Sequence, residues 1–196
     1  MALQPQPRIT PEEYLATERN ALTKSEYLDG EIFAMSGASR EHNLISVNVS
    51  GELRAQLKQR PCEVYSGDMR VQVRPTGLYT YPDVVVVCGE PRFADAELDT
   101  LLNPTLIVEV LSPSTEDYDR GTKFEHYRTL TSLQEYVLVA QDRCHVVHYT
   151  RQADNTWVLS ETTRKDDQIL LPSIACNLSL TEVYARVQID EPDMAR

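Results

Sequence analysis

Two strongly apolar segments of the chain each contain one carboxylate, and these two residues are the first candidates for chemistry. Asp83 precedes the run Val84 to Val87, and Glu109 interrupts the run Leu106 to Leu111. Runs rich in β-branched residues are typical of strands buried on both faces. An ionised carboxylate in such a place is costly unless it is paired, hydrogen-bonded or bound to a metal. Two of them in consecutive strands therefore predict a site.

The two carboxylates differ in how well a purely structural role explains them. Asp83 follows Pro82 and can sit at the start of a strand, where its side chain would bond to nearby backbone amides. Glu109 has apolar neighbours on both sides, and glutamate is disfavoured in the middle of a strand. If the two strands pair, both side chains can project from one face and bind a hard cation through oxygen. Mg²⁺ is then the expected ion, with Mn²⁺ as a substitute.

A lysine follows the second carboxylate at a spacing that allows it to join the pair. The segment Ser112 to Thr115 ends the strand, because proline cannot donate to a ladder and hydroxyl residues favour turns. Helical spacing then predicts a helix with Asp119 as N-cap and with Lys123 and Tyr127 on one face. Packed against the sheet, this helix would bring the Lys123 ammonium to the carboxylates, where it can orient a water or offset transition-state charge. The alternative is a solvated surface lysine.

Other polar residues are additional candidates for the same site. Asp68 precedes a predicted strand, Glu52 lies on a predicted long helix, and His42 is a potential base near the start of that helix. Each is also explained as a surface or structural residue. A hydrolase that uses Ser112 or Ser114 with a histidine is a further alternative, but the chain has no nucleophile-elbow pattern there.

Together these positions resemble the PD-(D/E)XK nuclease superfamily, in which an Asp and a Glu from adjacent strands bind Mg²⁺ beside a lysine. The resemblance is closest to the restriction endonuclease domains common in cyanobacteria and other bacteria, a branch whose lysine has migrated to the following helix. Leu111 stands at the superfamily's usual lysine position, two residues after Glu109, and Lys123 resembles the migrated lysine of this branch. The match extends over residues 8 to 187, through Tyr27–Ile32, His42, Gly67–Val71, Pro82–Val85, Val108–Thr115, Asp119–Arg120, Lys123, Tyr127 and Glu135–Tyr136.

The resemblance implies both a fold and a function. The expected fold is a restriction-endonuclease-like α/β core, a mixed β-sheet flanked by helices, with an N-terminal helix and hairpin. The expected function is that of a Mg²⁺-dependent endodeoxyribonuclease, in which Asp83 and Glu109 bind the metal and act in catalysis with Lys123. Superfamily members often act as dimers, so a homodimer is expected. The alternative is a catalytically inactive nuclease-fold module for binding or assembly.

Local patterns predict the individual elements. Thr10 to Glu13 is a capping signature for a helix that ends near Arg19, and Asp29-Gly30 is the turn of a hairpin. A long helix with Leu44, Val47, Leu53 and Leu57 on its apolar stripe and a last helix capped by Thr181 are also expected. The long helix is predicted at 40–59, and strands at about 62–65, 69–74, 82–88, 105–111, 136–140, 145–150 and 156–161.

Length and composition indicate one globular domain. The chain has 196 residues, of which 41% are hydrophobic and 25% are charged, so residues 1–196 are expected to form a single domain. Its ends, 1–7 and 188–196, are expected to be flexible. No signal peptide and no apolar run of about 20 residues is present, which predicts a cytoplasmic protein without membrane spans. No glycine-rich phosphate loop is present either, so no organic cofactor is expected.

The charge balance argues against strong DNA binding. Thirty acidic residues against 19 Lys and Arg give a net charge of −11, whereas nucleic-acid binders normally carry a basic surface. DNA is therefore expected as a weakly bound partner, with local basic residues lining one groove. These are Arg70, Arg74, Arg120, Lys123 and Arg128.

The cysteines are expected to be reduced. Cys62, Cys88, Cys144 and Cys176 are widely spaced and include no CxxC pair. That pattern favours neither a zinc site nor a disulfide framework.

Overall fold

The computed structural model describes residues 8–189 of the chain. Within that range no helix is long and apolar enough to cross a membrane. The ends predicted to be flexible are 1–7 and 188–196, and of these residues 1–7 and 190–196 lie outside the described range. Residues 188 and 189 belong to no helix or strand.

Helices separate groups of consecutive strands along the chain, an order that gives a mixed arrangement of helices and sheets. The elements are α1 (Pro11–Glu18), β1 (Ser25–Leu28), β2 (Glu31–Ala34), α2 (Arg40–Leu57), β3 (Cys62–Ser66), β4 (Arg70–Val73), β5 (Leu78–Thr80), β6 (Val84–Cys88), β7 (Thr100–Leu101), β8 (Leu106–Leu111), α3 (Glu116–Tyr118), a π-helical turn (Asp119–Lys123), α4 (Phe124–Tyr127), β9 (Glu135–Ala140), β10 (Val146–Arg151), β11 (Trp157–Thr162), β12 (Gln168–Leu171), a 3₁₀ turn (Pro172–Ile174), β13 (Cys176–Ser179) and α5 (Leu180–Val183).

The strands form three sheets. The central sheet has six strands in the order β11-β10-β9-β8-β6-β3 and is mixed, because β8 and β9 run parallel while its other pairs are antiparallel. A five-stranded sheet in the order β2-β1-β5-β4-β7 carries the N-terminal hairpin. Strands β12 and β13 form a separate antiparallel pair. The predicted mixed sheet flanked by helices, with an N-terminal helix and hairpin, is confirmed.

The inner strands of the central sheet are buried on both faces, as the two apolar runs predict for β6 and β8. Alternate side chains of β6 and β8, among them Val84 and Val108, pack with Ile45 and Val49 of α2 on one face. The intervening side chains, Val85, Val87, Ile107 and Leu111, pack with Tyr127, Tyr136 and Leu138 on the other. By this alternation Asp83 and Glu109 belong to the second face.

Two predicted caps are wrong. Asp119 does not cap a helix, because helical structure already begins at Glu116 and Asp119 opens the π-helical turn. Thr181 lies inside α5, whose N-cap is Ser179. In both cases a neighbouring residue with a hydroxyl or an acidic side chain fits the N-cap position equally well in the sequence.

The apolar stripe of α2 is shifted from the prediction. Leu53 and Leu57 are buried as expected, together with Ile45 and Val49, but Val47 is 68% exposed. Four short strands, β5, β7, β12 and β13, were not predicted, because they have only two to four residues each and short runs carry little periodic signal.

The expectation of four reduced cysteines is wrong for two of them. Cys62 of β3 lies opposite Cys88 of β6 in the antiparallel pair, and the two form a disulfide. Directly opposed residues of paired strands have neighbouring Cβ atoms. The two cysteines are 26 residues apart in the sequence, so their proximity depends on the strand pairing and is not visible in their spacing. Cys144 and Cys176 are free.

Candidate active site

The strand register places the two candidate carboxylates side by side. Val84 of β6 pairs with Val108 of β8, so Asp83 lies opposite Glu109 on the same face of the sheet. The Asp83 amide donates to Glu109 Oε2 over 3.4 Å, and Asp83 Oδ2 accepts a hydrogen bond of 2.7 Å from the Val110 amide. The backbone contact expected of a structural Asp83 is thus present, and it fixes the carboxylate beside Glu109.

Lys123 is a buried member of this site and not a surface lysine. Its side chain comes from the π-helical turn and is 5% exposed as a residue. The ammonium lies 3.0 Å from Glu109 Oε1 and 3.3 Å from Asp119 Oδ1. It also lies 3.2 Å from Glu26 Oε1. The sequence spacing that selected Lys123 therefore brings it to the expected place, with two further carboxylates.

Glu26 is a site residue that the sequence did not reveal. It lies on β1, is buried, and accepts hydrogen bonds from the hydroxyls of Thr80 and Tyr118 in addition to its contact with Lys123. Glu31 in the same hairpin is exposed. Both are glutamates in short strands, and only the burial of β1 against the rest of the fold separates them.

Tyr127, the last residue of α4, fixes the Glu109 carboxylate by a hydrogen bond. Its hydroxyl donates a 2.8 Å hydrogen bond to Glu109 Oε1, and its ring is fully buried. The same oxygen receives the Lys123 ammonium, so two donors fix Glu109 Oε1. The other oxygen, Oε2, faces the Asp83 backbone at the longer distance.

The site contains more negative than positive charge. Four carboxylates, those of Glu26, Asp83, Glu109 and Asp119, accompany one ammonium. Burial raises the pKa of Glu109, and the Lys123 ammonium opposes that effect. Burial by itself would lower the pKa of Lys123, but Glu109, Glu26 and Asp119 outweigh it and hold that pKa well above the usual value. A site with excess buried negative charge favours the uptake of a proton or a cation.

His42 joins the site at its open side. The first turns of α2 place His42 Nε2 2.7 Å from Asp83 Oδ1. Its backbone amide bonds to the hydroxyl of the N-cap residue Ser39, which fixes the start of the helix. Of the three additional candidates from the sequence, His42 is the one in contact with Asp83.

Asp68 and Glu52 are not brought into contact with the carboxylate pair. Asp68 is exposed and pairs with Lys24 at 3.0 Å. Glu52 is half-buried on α2 and does not line the cleft. The hydroxyl of Ser112 contacts those of Ser114 and Thr115, and no histidine is bonded to them within residues 8–189.

Three of the five residues predicted to line a basic groove are engaged within the fold, whereas Arg74 and Arg128 are exposed. Arg70 is buried and bonds to Tyr81 and Thr100. Lys123 is buried too, and Arg120 pairs with Glu116 at 2.8 Å. These cations neutralise acids within the fold, which a count of basic residues does not show.

Asp83 and His42 open into a cleft of about 640 Å³ between α2 and the turn after β3. Glu109 and Lys123 lie behind them and do not line it. The lining residues are Lys24, Ala38, His42, Asn43, Ser46, Val47, Ser50, Gly51, Arg54, Val64, Ser66, Gly67, Asp68 and Asp83.

The carboxylates of Asp83 and Glu109 fit a hard divalent cation. Within residues 8–189 no group of three or more His, Cys, Asp or Glu side chains is arranged to hold a metal. Mg²⁺, however, keeps several waters and is usually bound through one or two carboxylates together with substrate phosphates. Asp83 and Glu109 supply two such carboxylates, and the excess negative charge around them favours a cation.

Comparisons with known proteins identify relatives over most of the chain. The family model described as "Uma2: Putative restriction endonuclease" matches residues 11–182. Uncharacterized protein sll1609 of Synechocystis sp. is 40% identical over 161 residues, which cover 82% of this chain and 91% of that protein. Uncharacterized protein slr1290 of the same organism is 38% identical over 180 residues, with 92% and 93% covered.

A solved structure shares the fold. The crystal structure of a protein from Anabaena variabilis ATCC 29413, described as a putative nuclease belonging to DUF820, matches with a TM-score of 0.74 at 21% sequence identity. The match covers 92% of this chain and 99% of the other. The restriction-endonuclease-like fold expected from the sequence is therefore confirmed. With the family model matched over residues 11–182, the chain belongs to the Uma2 family, the family described as "Putative restriction endonuclease".

Proposed function

We propose that this protein is a Mg²⁺-dependent endodeoxyribonuclease that hydrolyses phosphodiester bonds in DNA. The observation that supports it best is the juxtaposition of Asp83 and Glu109 across β6 and β8, with the Lys123 ammonium 3.0 Å from Glu109. Two carboxylates and a cation in a restriction-endonuclease-like fold suit phosphoryl transfer to water. Mn²⁺ would substitute for Mg²⁺, since both accept carboxylate and water ligands.

Asp83 and Glu109 would hold the metal, and each is pre-positioned for it. The Val110 amide and His42 fix Asp83, while Tyr127 and Lys123 fix Glu109. A bound Mg²⁺ polarises a phosphoryl oxygen and lowers the pKa of a coordinated water. Rigid placement of the ligands means that little reorganisation is needed during the reaction.

Lys123 and His42 would act on either side of this pair. The Lys123 ammonium is a fixed donor beside Glu109 and would orient the attacking water or offset charge on the phosphoryl group. His42 Nε2 faces the cleft next to Asp83. It would orient the Asp83 carboxylate and hold a proton near the scissile bond.

Plasmid cleavage tests the proposal. The wild-type protein is expected to cleave circular DNA in Mg²⁺, whether this is supplied as a single-stranded circle or as supercoiled plasmid, and to lose this activity in EDTA. Asp68→Asn, a change of an exposed acid in the same cleft, should keep the activity, whereas Asp83→Asn should lose it. Cleavage that survives in Asp83→Asn would indicate a contaminant. A homogeneous wild-type protein that cleaves no DNA in Mg²⁺ or Mn²⁺ would favour the inactive binding or assembly module.

We also propose that two copies associate through β11, because this strand lies at an exposed edge of the central sheet. Strand β11 is one of the two edge strands of the central sheet, and its residues Val158 and Leu159 are 53% and 50% exposed. It contains neither lysine nor proline, the residues that usually protect an edge strand from pairing. In an antiparallel pair of β11 strands, Asp154 before the strand would approach Arg164 and Lys165 after the partner's strand.

Light scattering tests this assembly. The wild-type protein is expected to run as a dimer, and Leu159→Lys as a monomer, because the new charge would be buried in the strand pair. Leu170→Lys is the matched control, since Leu170 is similarly exposed on β12. A wild-type protein that is monomeric at a concentration on the order of 100 micromolar would contradict the proposed dimer. So would a dimer that persists in Leu159→Lys.

A further inference from the structure

The reactive groups of the proposed site are recessed. Glu109 is 3% exposed and Lys123 is 5% exposed, and only Asp83 and His42 reach the cleft. Duplex DNA is a stiff rod whose phosphates lie on its outer surface. A single strand can bend into a cleft and bring a phosphate to recessed groups more easily than a stiff duplex can.

The cleft is large enough to hold a short stretch of single-stranded DNA. Its volume of about 640 Å³ is within the range of cavities that hold one drug-sized molecule. One wall is a row of α2 side chains at intervals of four residues: His42, Ser46, Ser50 and Arg54. Twelve helical residues span about 18 Å, so the row extends well beyond the carboxylates.

The wall offers contacts suited to a nucleic-acid strand. Val47, although apolar, is 68% exposed and lines the cleft. The Ser50 hydroxyl is buried and has no hydrogen-bond partner within residues 8–189. Gly51 leaves open space above the helix backbone, since a Cβ added there would meet nothing within 4 Å.

Positive charge is available at the far end of the cleft. Lys24 is already engaged by the Gly67 carbonyl at 2.6 Å and by Asp68 at 3.0 Å. Arg54 is exposed on α2 and lines the cleft. A phosphate bound by Arg54 would lie about three helical turns from the residues that face the scissile bond.

We infer that the substrate is single-stranded DNA, as a free strand, a flap or a frayed end, which lies along α2 between His42 and Arg54. Val47 contacts a base, and Arg54 binds a phosphate remote from the site of cleavage. The inference rests on the proposed nuclease function and narrows its substrate. It also accounts for a net charge of −11, because one recessed strand requires fewer phosphate contacts than a duplex face.

Fluorescence anisotropy with a labelled oligonucleotide tests the inference separately from cleavage. In Ca²⁺ the protein is expected to bind the single strand at least about tenfold more tightly than the same sequence as a blunt duplex, because only the single strand enters the cleft without unpairing. Val47→Asp should weaken single-strand binding about tenfold, since it removes an apolar contact and adds repulsion. Arg54→Gln should reduce the slope of log affinity against log salt by about 0.7.

Matched controls lie outside the cleft. Leu170→Asp changes a leucine that is 66% exposed, and Arg92→Gln changes an exposed arginine that does not line the cleft; both should bind like wild type. Equal or tighter binding of the duplex, or wild-type binding by both cleft variants, would overturn the inference. Cleavage assays on the same two substrates separate the two proposals: efficient duplex cleavage would leave the nuclease proposal standing and refute the single-strand preference. Single-strand binding without any cleavage in Mg²⁺ or Mn²⁺ would refute the nuclease proposal alone.

Discussion

Replacing Lys123 by methionine is expected to destabilise the protein by about 3–5 kcal/mol, the usual result of removing one partner from a buried ionic network. The ammonium contacts Glu26, Glu109 and Asp119 within 3.3 Å. Methionine fills a similar volume, so the cost would come from uncompensated carboxylates and not from a cavity. Urea denaturation would measure the change as a lower midpoint with an unchanged slope.

Three further measurements distinguish this account from simple loss of packing. The double variant Lys123→Met with Glu26→Gln should recover part of the stability, because one unpaired carboxylate is removed with the ammonium. Mg²⁺ should stabilise Lys123→Met at least as much as wild type, since the competing ammonium is gone. Cleavage should fall about 10²–10³-fold, as expected for loss of one fixed transition-state donor. A Lys123→Met protein with wild-type stability and activity would show that the network is energetically unimportant.

The three central residues of the site were predictable because local periodicity determines where they lie. Asp83 and Glu109 interrupt apolar runs, and in the folded chain these runs are neighbouring strands with the two carboxylates opposite each other. Lys123 and Tyr127 are four residues apart, so an α-helical conformation places both on one side. The π-helical turn at Asp119–Lys123 was not predicted, yet it left this relation between the two residues intact.

Glu26 and Asp119 were missed as members of the site for different reasons. Glu26 reaches Lys123 through the pairing of β1 with β5, which involves one register pair, Tyr27 with Tyr79. Such a long-range pairing has no signature within a four-residue strand. Asp119 was interpreted as a cap because acids are common at helix starts. The helix instead begins three residues earlier, which turns Asp119 toward Lys123.

Val47 shows where a sound local rule failed. Its position on the apolar side of a helical pattern predicted burial, whereas the helix presents it to the cleft beside His42 and Ser46. Departures from hydrophobic patterning are expected to concentrate at functional sites. The exposure of Val47, where the helical pattern predicts burial, therefore supports a binding role for the α2 wall of the cleft.

Asp83→Asn is expected to abolish both DNA cleavage and Mg²⁺ binding while leaving the fold intact. Asparagine can keep the hydrogen bond from the Val110 amide through its side-chain oxygen, and its NH₂ group can donate to His42 when Nε2 is unprotonated. It also removes one of four carboxylates that share one ammonium, which relieves repulsion. The metal-free variant should therefore melt no lower than the metal-free wild type.

The stabilisation of the folded protein by Mg²⁺ measures directly whether Asp83 binds the metal. Mg²⁺ at 100 times its dissociation constant should stabilise the wild type by about 2.7 kcal/mol. The same concentration should have no measurable effect on Asp83→Asn if its affinity falls more than about 100-fold. Asp68→Asn should respond like wild type, because Asp68 pairs with Lys24 and is not bonded to Asp83. Equal Mg²⁺-induced stabilisation of wild type and Asp83→Asn would contradict the assignment, since the ion would then bind elsewhere and the Asp83 carboxylate would serve only to hold the Val110 amide and His42.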